Sequence, residues 1–248
     1  MKTVPSCLAK FPKKRCALTP EYAEIYEDEY KINRGKEVFA TKLSASLEGW
    51  MHRKIAKRQG TKTLEIGAGT LNHLRFEPKT HIYDIVEPFN VLFHDKNLEL
   101  RKVGSVYADI SDIPKDELYE RIISIAVFEH LEDLPFIVAM AALHLSTGGI
   151  LQTAYPSEGG ALWGMAWRLS TGISFRLRRG LSYKPFRVFE HVNSGIEILD
   201  VINYFFKKTK TERYPTRFHN LSLYTYTLAE DPVIERCLEY VAYSMSSR

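Results

Sequence analysis

Short apolar segments alternate with longer stretches of helical spacing from Lys62 onward. Apolar runs of this length are typical of buried strands, and the alternation predicts a parallel sheet with helices on both faces. All strands but the last are expected to be parallel, so the pattern predicts an α/β three-layer sandwich with a seven-stranded, mostly parallel sheet. The predicted strands span 63–66, 81–86, 106–108, 121–126, 149–154, 208–214 and 222–229.

Two helices are predicted before the sheet, over 21–30 and 36–57. In the second, one apolar stripe recurs at helical spacing, at Phe39, Leu43, Leu47, Trp50 and Ile55. The two helices either pack on the core or form a lid over a ligand. We therefore predict an N-terminal helical extension over 1–60 and a main domain over 61–248, with a cap inserted at about 156–192.

The segment T-L-E-I-G-A-G-T-L at 63–71 changes from a strand into a tight glycine turn that is predicted to open a helix. Gly67 and Gly69 allow a sharp turn and a close approach to a ligand, because neither has a Cβ. A glycine pair after a strand is also compatible with a plain strand-to-helix turn. In a parallel sheet, ligands bind beyond the carboxyl ends of the strands, where this turn lies.

Acidic residues follow the next strands at the same predicted edge of the sheet. Glu87, followed by Pro88, comes about 20 residues after the first glycine, where a carboxylate can accept hydrogen bonds from both ribose hydroxyls. Asp109 can accept from an exocyclic amine while the N–H of Ile110 bonds a ring nitrogen, which together would recognise an adenine edge. Glu129 and His130 follow the fourth strand.

Together these motifs resemble those of class I S-adenosylmethionine-dependent methyltransferases, in particular the small-molecule and sugar enzymes, over 61–154. The segment 65–71 matches the family's acid followed by G-x-G-x-G, with Leu71 at the third glycine, and 122–133 matches its apolar strand, Glu-His and acidic turn. The resemblance implies a Rossmann-like fold, with S-adenosylmethionine as cofactor and S-adenosylhomocysteine as product. It implies that the cofactor is held by Glu65, Gly67, Ala68, Gly69, Glu87, Pro88, Asp109, Ile110 and the backbone of Ala126.

Physical chemistry agrees with this resemblance. Glu65 would bind the cofactor's ammonium, and the N–H groups of the 67–70 turn at a helix start would complete its site. His130 is the candidate general base, although a role in packing or in bonding the loop backbone is equally compatible. No metal is predicted, because the acids are assigned to the cofactor. A dinucleotide-dependent dehydrogenase would need glycine at position 72, where Asn72 stands.

The inserted cap has no acidic residue from Gly159 to Phe189, and its arginines and lysine are interleaved with aromatic residues. This composition suits an anionic acceptor, such as a nucleotide-linked sugar, a phospholipid-like molecule or an acidic metabolite. The candidate substrate contacts are Tyr155, Arg178, Arg179 and His191. A solvated cap anchored by its aromatic residues is the alternative. The stretch 159–169 also reads as an amphipathic helix, which allows peripheral membrane contact.

Composition narrows the remaining possibilities. The chain has 248 residues, 45% of them hydrophobic and 26% charged, which predicts one globular core. Its longest apolar runs are well short of the roughly 18 residues needed to cross a bilayer, and we expect a cytoplasmic protein without a signal peptide. The net charge of +4 is modest and local, so nucleic acid is not an expected partner. Cys7, Cys16 and Cys237 are predicted to be free thiols.

The expected function is methyl transfer to an oxygen or nitrogen of a sugar or related metabolite, by a monomer or homodimer. Two other classes of function remain open. One is a non-catalytic protein that keeps the cofactor fold and docks an acidic partner through the cap, and the other is a nicotinamide-dependent enzyme. Among methyltransferases, one that acts on a lipid-like or RNA acceptor is a further alternative.

Overall fold

A computed structural model describes residues 5–33, 42–77, 82–93 and 97–247. The first part of the predicted helix at 36–57, including Phe39, lies outside the described residues, as does the predicted strand residue His81. Two N-terminal helices are present, α1 (Pro20–Asn33) and α2 (Lys42–Ile55). The helices of the described ranges include none that is long and apolar enough to span a membrane.

All seven predicted strands are confirmed, with ends that differ by a few residues. They form one sheet in the order β3-β2-β1-β4-β5-β7-β6, in which β7 is antiparallel to both of its neighbours. Pairs among the first five strands are parallel. The strands are β1 (Lys62–Ile66), β2 (Ile82–Val86), β3 (Val106–Tyr107), β4 (Tyr119–Ile125), β5 (Leu145–Pro156), β6 (Phe206–Pro215) and β7 (Ser222–Pro232).

Three helices cover one face of the sheet, namely α4 (Leu134–Leu143), α8 (Gly195–Phe205) and α9 (Ile234–Ser247). Their buried residues form one core with strand residues such as Leu64 and Leu151. Ser194 begins α8 with a capping box, in which its side chain accepts from the Glu197 N–H and the Glu197 side chain accepts from the Ser194 N–H. This cap fixes where the chain re-enters the sandwich after the insertion.

The opposite face of the sheet is covered by α2. Met51 and Ile55 are buried there against Tyr83, Ile85 and Ile123. Trp50 packs partly buried on the same core, as the predicted apolar stripe requires. The packing interpretation therefore holds for the end of α2, while the division of the chain into an extension over 1–60 and a main domain stays a prediction.

The prediction of an α-helix directly after the glycine turn is wrong. A 3-10 turn of four residues, Asn72–Arg75, stands in its place, and α3 (Asn97–Leu100) is equally short. Leu71 adopts φ 60° and ψ 27°, a left-handed conformation that cannot lie inside a right-handed helix, so no helix can include Leu71. The described parts of the crossovers from β1 to β3 therefore contain only short helical turns, while α2 lies over β4, β5 and β7.

The predicted insertion between β5 and α8 is helical. It consists of α5 (Ala161–Trp167), a π-helical turn (Arg168–Gly172), α6 (Ile173–Arg179) and α7 (Lys184–Glu190). Phe186 of this cap is buried, and the Tyr22 ring of α1 lies edge-on to it with centroids 5.2 Å apart. The Tyr22 hydroxyl also donates to the Ser182 carbonyl at 2.9 Å. Helix α1 therefore packs against the cap.

Candidate active site

A cavity of about 870 Å³ opens beyond the carboxyl ends of β1, β2 and β4. Its volume is within the range of about 300–1,000 Å³ typical of ligand pockets. Eleven of the predicted site residues line it, so the structure brings these separate parts of the chain together. They are Glu65, Gly67, Ala68, Gly69, Glu87, Pro88, Asp109, Ile110, Ala126, His130 and His191.

The glycine turn requires glycine for two different reasons. Gly67 has φ +73°, and a Cβ there would lie 2.4 Å from Cγ2 of Val127. Gly69 has φ +52°, and no atom lies within 4 Å of a Cβ built on it, so the backbone there faces open space. The Gly67 N–H donates to the Val86 carbonyl, and the Gly69 N–H donates to Oε2 of Glu87, both at 2.8 Å. Two of the four N–H groups of the 67–70 turn are therefore already bonded within the protein, and a ligand role for the N–H groups of Ala68 and Thr70 stays a prediction.

Local backbone groups orient the carboxylates of Glu87 and Asp109. Glu87 is buried, and its Oε1 accepts from the Phe89 N–H at 3.0 Å. Asp109 is exposed, and its side chain accepts from the Ser111 N–H at 2.8 Å, while its own N–H donates to Asp112. A carboxylate offers about four acceptor positions, so each can still accept hydrogen bonds from a ligand.

Glu65 ends β1 inside the cavity wall and is only 3% exposed. Burial raises the pKa of this carboxyl to about 8, although the Tyr83 hydroxyl, which donates to Oε2 at 2.7 Å, partly opposes the shift. Glu65 is therefore mostly protonated at neutral pH. A cation placed beside it would favour its ionisation.

His130 lies in a 3-10 turn after β4, and its tautomer follows from one contact. Its Nδ1 lies 2.9 Å from the carbonyl oxygen of Glu190. Because a carbonyl only accepts, Nδ1 carries the hydrogen and Nε2 keeps a lone pair. Burial lowers the pKa of His130, which keeps the imidazole neutral at neutral pH. The ring is thus oriented and able to accept a proton.

Glu129, next to His130, lines the cavity and was not predicted as a site residue. It is 1% exposed, and its Oε2 has no hydrogen-bond partner among the described residues. Burial raises its pKa to about 7. Its other oxygen, Oε1, lies 3.8 Å from Nε2 of His130. The only sequence signal for Glu129 was its place in the Glu-His segment after β4.

The end of the cap is bound to the loop after β5 by a buried charge cluster. Glu158 is 2% exposed, its Oε1 lies 2.7 Å from Nδ1 of His191, and its Oε2 pairs with Arg187. Burial opposes the ionisation of Glu158, but His191 and Arg187 outweigh it and lower the pKa to about 2. The His191 and His130 rings lie edge-on, with centroids 4.7 Å apart. Sequence reasoning missed Glu158, although it is the only acid from 156 to 189.

A second polar network, also missed, joins α2 to the turn after β1. The completely buried Arg121 donates to both oxygens of Glu77, at 2.7 and 2.9 Å. Glu77 Oε1 lies 2.5 Å from Nε2 of His73, and Nδ1 of His73 lies 3.0 Å from Nδ1 of His52. The carboxylate fixes the hydrogen on His73 Nε2, so His52 donates from Nδ1 and keeps its Nε2 lone pair. Both histidines line the cavity.

Three predicted substrate contacts are not in the cavity wall. Tyr155 is completely buried in the core with α4, α8 and α9, with its hydroxyl 3.1 Å from Oγ1 of Thr227. Arg178 and Arg179 lie exposed on α6 and do not line the cavity. Among the described lining residues, Arg15 is the only arginine or lysine. The main reason for expecting an anionic acceptor is therefore removed.

Comparison with solved structures identifies the fold. N-methyltransferase NodS from Bradyrhizobium japonicum, in complex with S-adenosylhomocysteine, is 10% identical with a TM-score of 0.55, over 84% of this chain and 97% of that one. A possible histamine N-methyltransferase from Thermotoga maritima is 15% identical with a TM-score of 0.53, over 85% and 97%. No family model and no curated sequence matches the chain.

Similarity at this level does not define the reaction. The [4+2]-cyclase SpnF is 11% identical with a TM-score of 0.57, over 89% of this chain and all of that one. The fold therefore does not identify the reaction. The strand order, the antiparallel β7 and the matched structures agree on the architecture. The chain has the fold of the class I S-adenosylmethionine-dependent methyltransferases.

Proposed function

We propose that the protein binds S-adenosylmethionine and transfers its methyl group to a small acceptor. The observation that carries this proposal is that Glu65, Glu87 and Asp109, which lie far apart in the sequence, line one cavity around the glycine turn. Each carboxyl suits one part of the cofactor: Glu65 the ammonium, Glu87 the ribose hydroxyls and Asp109 the adenine amine. The open space at Gly69 fits a ligand that approaches the backbone closely.

The bound cofactor supplies a methyl group on a positively charged sulfur, which is already activated toward a nucleophile. The chain's own residues align the acceptor and exclude water. His130 takes the proton that an oxygen or nitrogen acceptor gives up, through the lone pair on Nε2. The Glu190 carbonyl holds the ring in the required tautomer. Glu129 is a positioning residue that stabilises the protonated imidazole.

Isothermal titration calorimetry with S-adenosylhomocysteine tests the cofactor assignment. We expect stoichiometric binding to the wild-type protein. Glu87→Gln should weaken it by about tenfold or more, because a charge-assisted hydrogen bond contributes about 1.5–3 kcal/mol. Asp109→Asn should also weaken binding. The asparagine side chain can still accept from the Ser111 N–H, because asparagine is an equally good residue at the start of a helix.

The matched control is Glu235→Gln, an exposed acid in the first turn of α9. It should bind S-adenosylhomocysteine as the wild type does. Lack of binding by folded wild-type protein would contradict the proposal and favour a protein that only docks a partner. Selective binding of NAD would instead indicate a dehydrogenase.

For the acceptor, we propose an oxygen or nitrogen on a sugar or related small metabolite. Tyramine and 4-hydroxyphenylacetate share a phenol ring and differ in the sign of their charge, so their rates of S-adenosylhomocysteine formation report which charge the cavity accepts. With an active acceptor, His130→Asn should lower kcat by about 10²-fold or more and leave cofactor binding unchanged. A lipid-like acceptor is the second candidate, favoured by a row of exposed apolar side chains on the cap, namely Met165, Leu169, Ile173 and Leu177.

A further inference from the structure

The cap exposes a row of four large apolar side chains. Met165, Leu169, Ile173 and Leu177 are 52%, 63%, 47% and 82% exposed. They recur every four residues and span about 18 Å along the helical axis, at about 1.5 Å per residue. In an α-helix, four residues turn about 40° more than one full turn, so side chains four residues apart drift around the helix. The π-helical turn at 168–172 has more residues per turn and so offsets this drift. The π turn therefore keeps the row on one side of the cap.

The opposite side of the cap is packed against the protein. Phe175 is 2% exposed, and its ring contacts Tyr183 and Phe186 with centroids 5.6 and 5.3 Å away. Trp163 lines the cavity and contacts the Tyr224 ring at 5.8 Å. Since the cap already has a core-facing side, its exposed row is a second apolar surface that the fold does not need.

The charged residues of the cap helices that carry this row have one sign. No acidic residue occurs from Gly159 to Phe189, and five exposed cations accompany the row, Arg168, Arg176, Arg178, Arg179 and Lys184. Helix α9 also exposes apolar side chains, Ile234 and Leu238, but these alternate with Glu235 and Glu239. An apolar row flanked along its own helices by basic residues is the composition that binds the interface of anionic lipid membranes.

We infer that the row and its five cations, the outer face of the cap, dock on an anionic membrane surface. The four apolar side chains enter the boundary between headgroups and acyl chains, and the arginines and Lys184 meet the lipid phosphates. This inference does not require the proposed methyl transfer. If that function holds, the same cap faces lipid on one side and the cavity on the other, which would bring an amphiphilic acceptor to the site.

Co-sedimentation of the full chain with vesicles tests the inference. One set of vesicles is phosphatidylcholine alone, and the other contains equal parts of phosphatidylcholine and phosphatidylglycerol. We expect the wild type to sediment with the anionic set and to be released as salt is raised. Leu169→Asp combined with Leu177→Asp should lower the partition by about tenfold or more. Leu238→Asp changes a leucine of α9 that is 55% exposed, and this variant should sediment as the wild type does.

Calorimetry with S-adenosylhomocysteine on the Leu169/Leu177 variant keeps the two proposals separate. Unchanged titration with lost sedimentation would support a membrane role independent of the cavity. The inference is overturned if the wild type ignores anionic vesicles, or if the variant sediments as well as the wild type. If the wild type does not bind vesicles and its molecular mass by light scattering differs from that of the variant, the row is instead an interface between copies of the chain.

Discussion

The cavity has two halves that are built in different ways. In the half beyond β1 to β3, Glu87 and Asp109 accept from backbone N–H groups two residues ahead of them, so short segments orient the carboxyls. In the half beyond β4 and β5, Glu158, Arg187 and His191 meet across about 30 residues of inserted cap. The first half depends on local backbone conformation, whereas the second depends on the cap being folded. Substitutions in the two halves should therefore fail in different ways.

The largest effect should come from the glycine turn. Gly67→Ala adds a Cβ at φ +73° and 2.4 Å from Val127, so the free energy of unfolding should fall by about 3 kcal/mol, from backbone strain plus overpacking. Gly69→Ala meets no atom and should lose only about 1 kcal/mol. Urea unfolding measures both. Equal losses at the two positions would show that the contact with Val127 does not matter.

Next in size is the charge cluster that closes the cap. Glu158→Gln should lower the free energy of unfolding by about 2 kcal/mol at pH 7, because it leaves Arg187 and His191 without their carboxylate. The folded-state pKa of Glu158, about 2, lies below its ordinary 4.5. Its stabilisation is therefore present above pH 4.5 and is lost as the pH falls toward 2.

The wild type and Glu158→Gln should accordingly converge in stability in acid. Glu230→Gln is the control, since Glu230 pairs with Arg58 at 3.1 Å on the surface. An exposed pair contributes about 0.5 kcal/mol, so this variant should change little. A pH-independent difference between the wild type and Glu158→Gln would contradict an ionic role for Glu158.

A smaller effect should distinguish Glu65 from the other carboxyls of the first half. Because its pKa is about 8, it should lose close to one proton when the ammonium of S-adenosylhomocysteine binds at pH 7. Affinity should then rise by up to about tenfold per pH unit between pH 6 and 8. Calorimetry in phosphate and in Tris buffer measures the proton release.

Two controls accompany that titration. 5′-Methylthioadenosine lacks the amino-acid part and should bind without releasing a proton. Glu65→Gln should bind S-adenosylhomocysteine without release as well. Equal release by both ligands to the wild type would mean that a group other than Glu65 gives up the proton.

The smallest effect should be seen at His130. Nitrogen-15 NMR should show hydrogen on Nδ1 and none on Nε2 at pH 7, with a pKa below the ordinary 6.5 because the ring is buried. The ring nitrogen-15 shifts and pKa values of the histidines in the unfolded protein are the reference. Hydrogen on Nε2 would remove the lone pair that proton acceptance requires.

The sequence predicted well what short segments determine. Strand runs, the glycine pair and the acids after each strand are read from neighbouring residues, and Glu65, Glu87 and Asp109 do line one cavity. Alternation along β5 explains the failure at Tyr155. Ala154 belongs to the core under α2, so Tyr155 faces the opposite core, away from the cavity.

Other features depended on tertiary contacts that spacing does not reveal. Leu71 is left-handed in the folded chain, which no local preference of leucine would indicate. The charge cluster of Glu158 forms only because the cap returns His191 to the loop after β5. Glu129 became a candidate only once its burial was known.

The layer that α2 forms over β4, β5 and β7 has a practical consequence for dissecting the protein. A truncated chain that starts at residue 61 would contain all seven strands and the predicted main domain. It would uncover the core residues Ile123, Ala154 and Tyr226, and it would remove the carbonyl of Ile55 that accepts from the buried guanidinium of Arg121. Such a chain should aggregate or melt early, and deletions are better ended ahead of Leu8, because Leu8 and Phe11 are buried in the core with α4, α8 and α9.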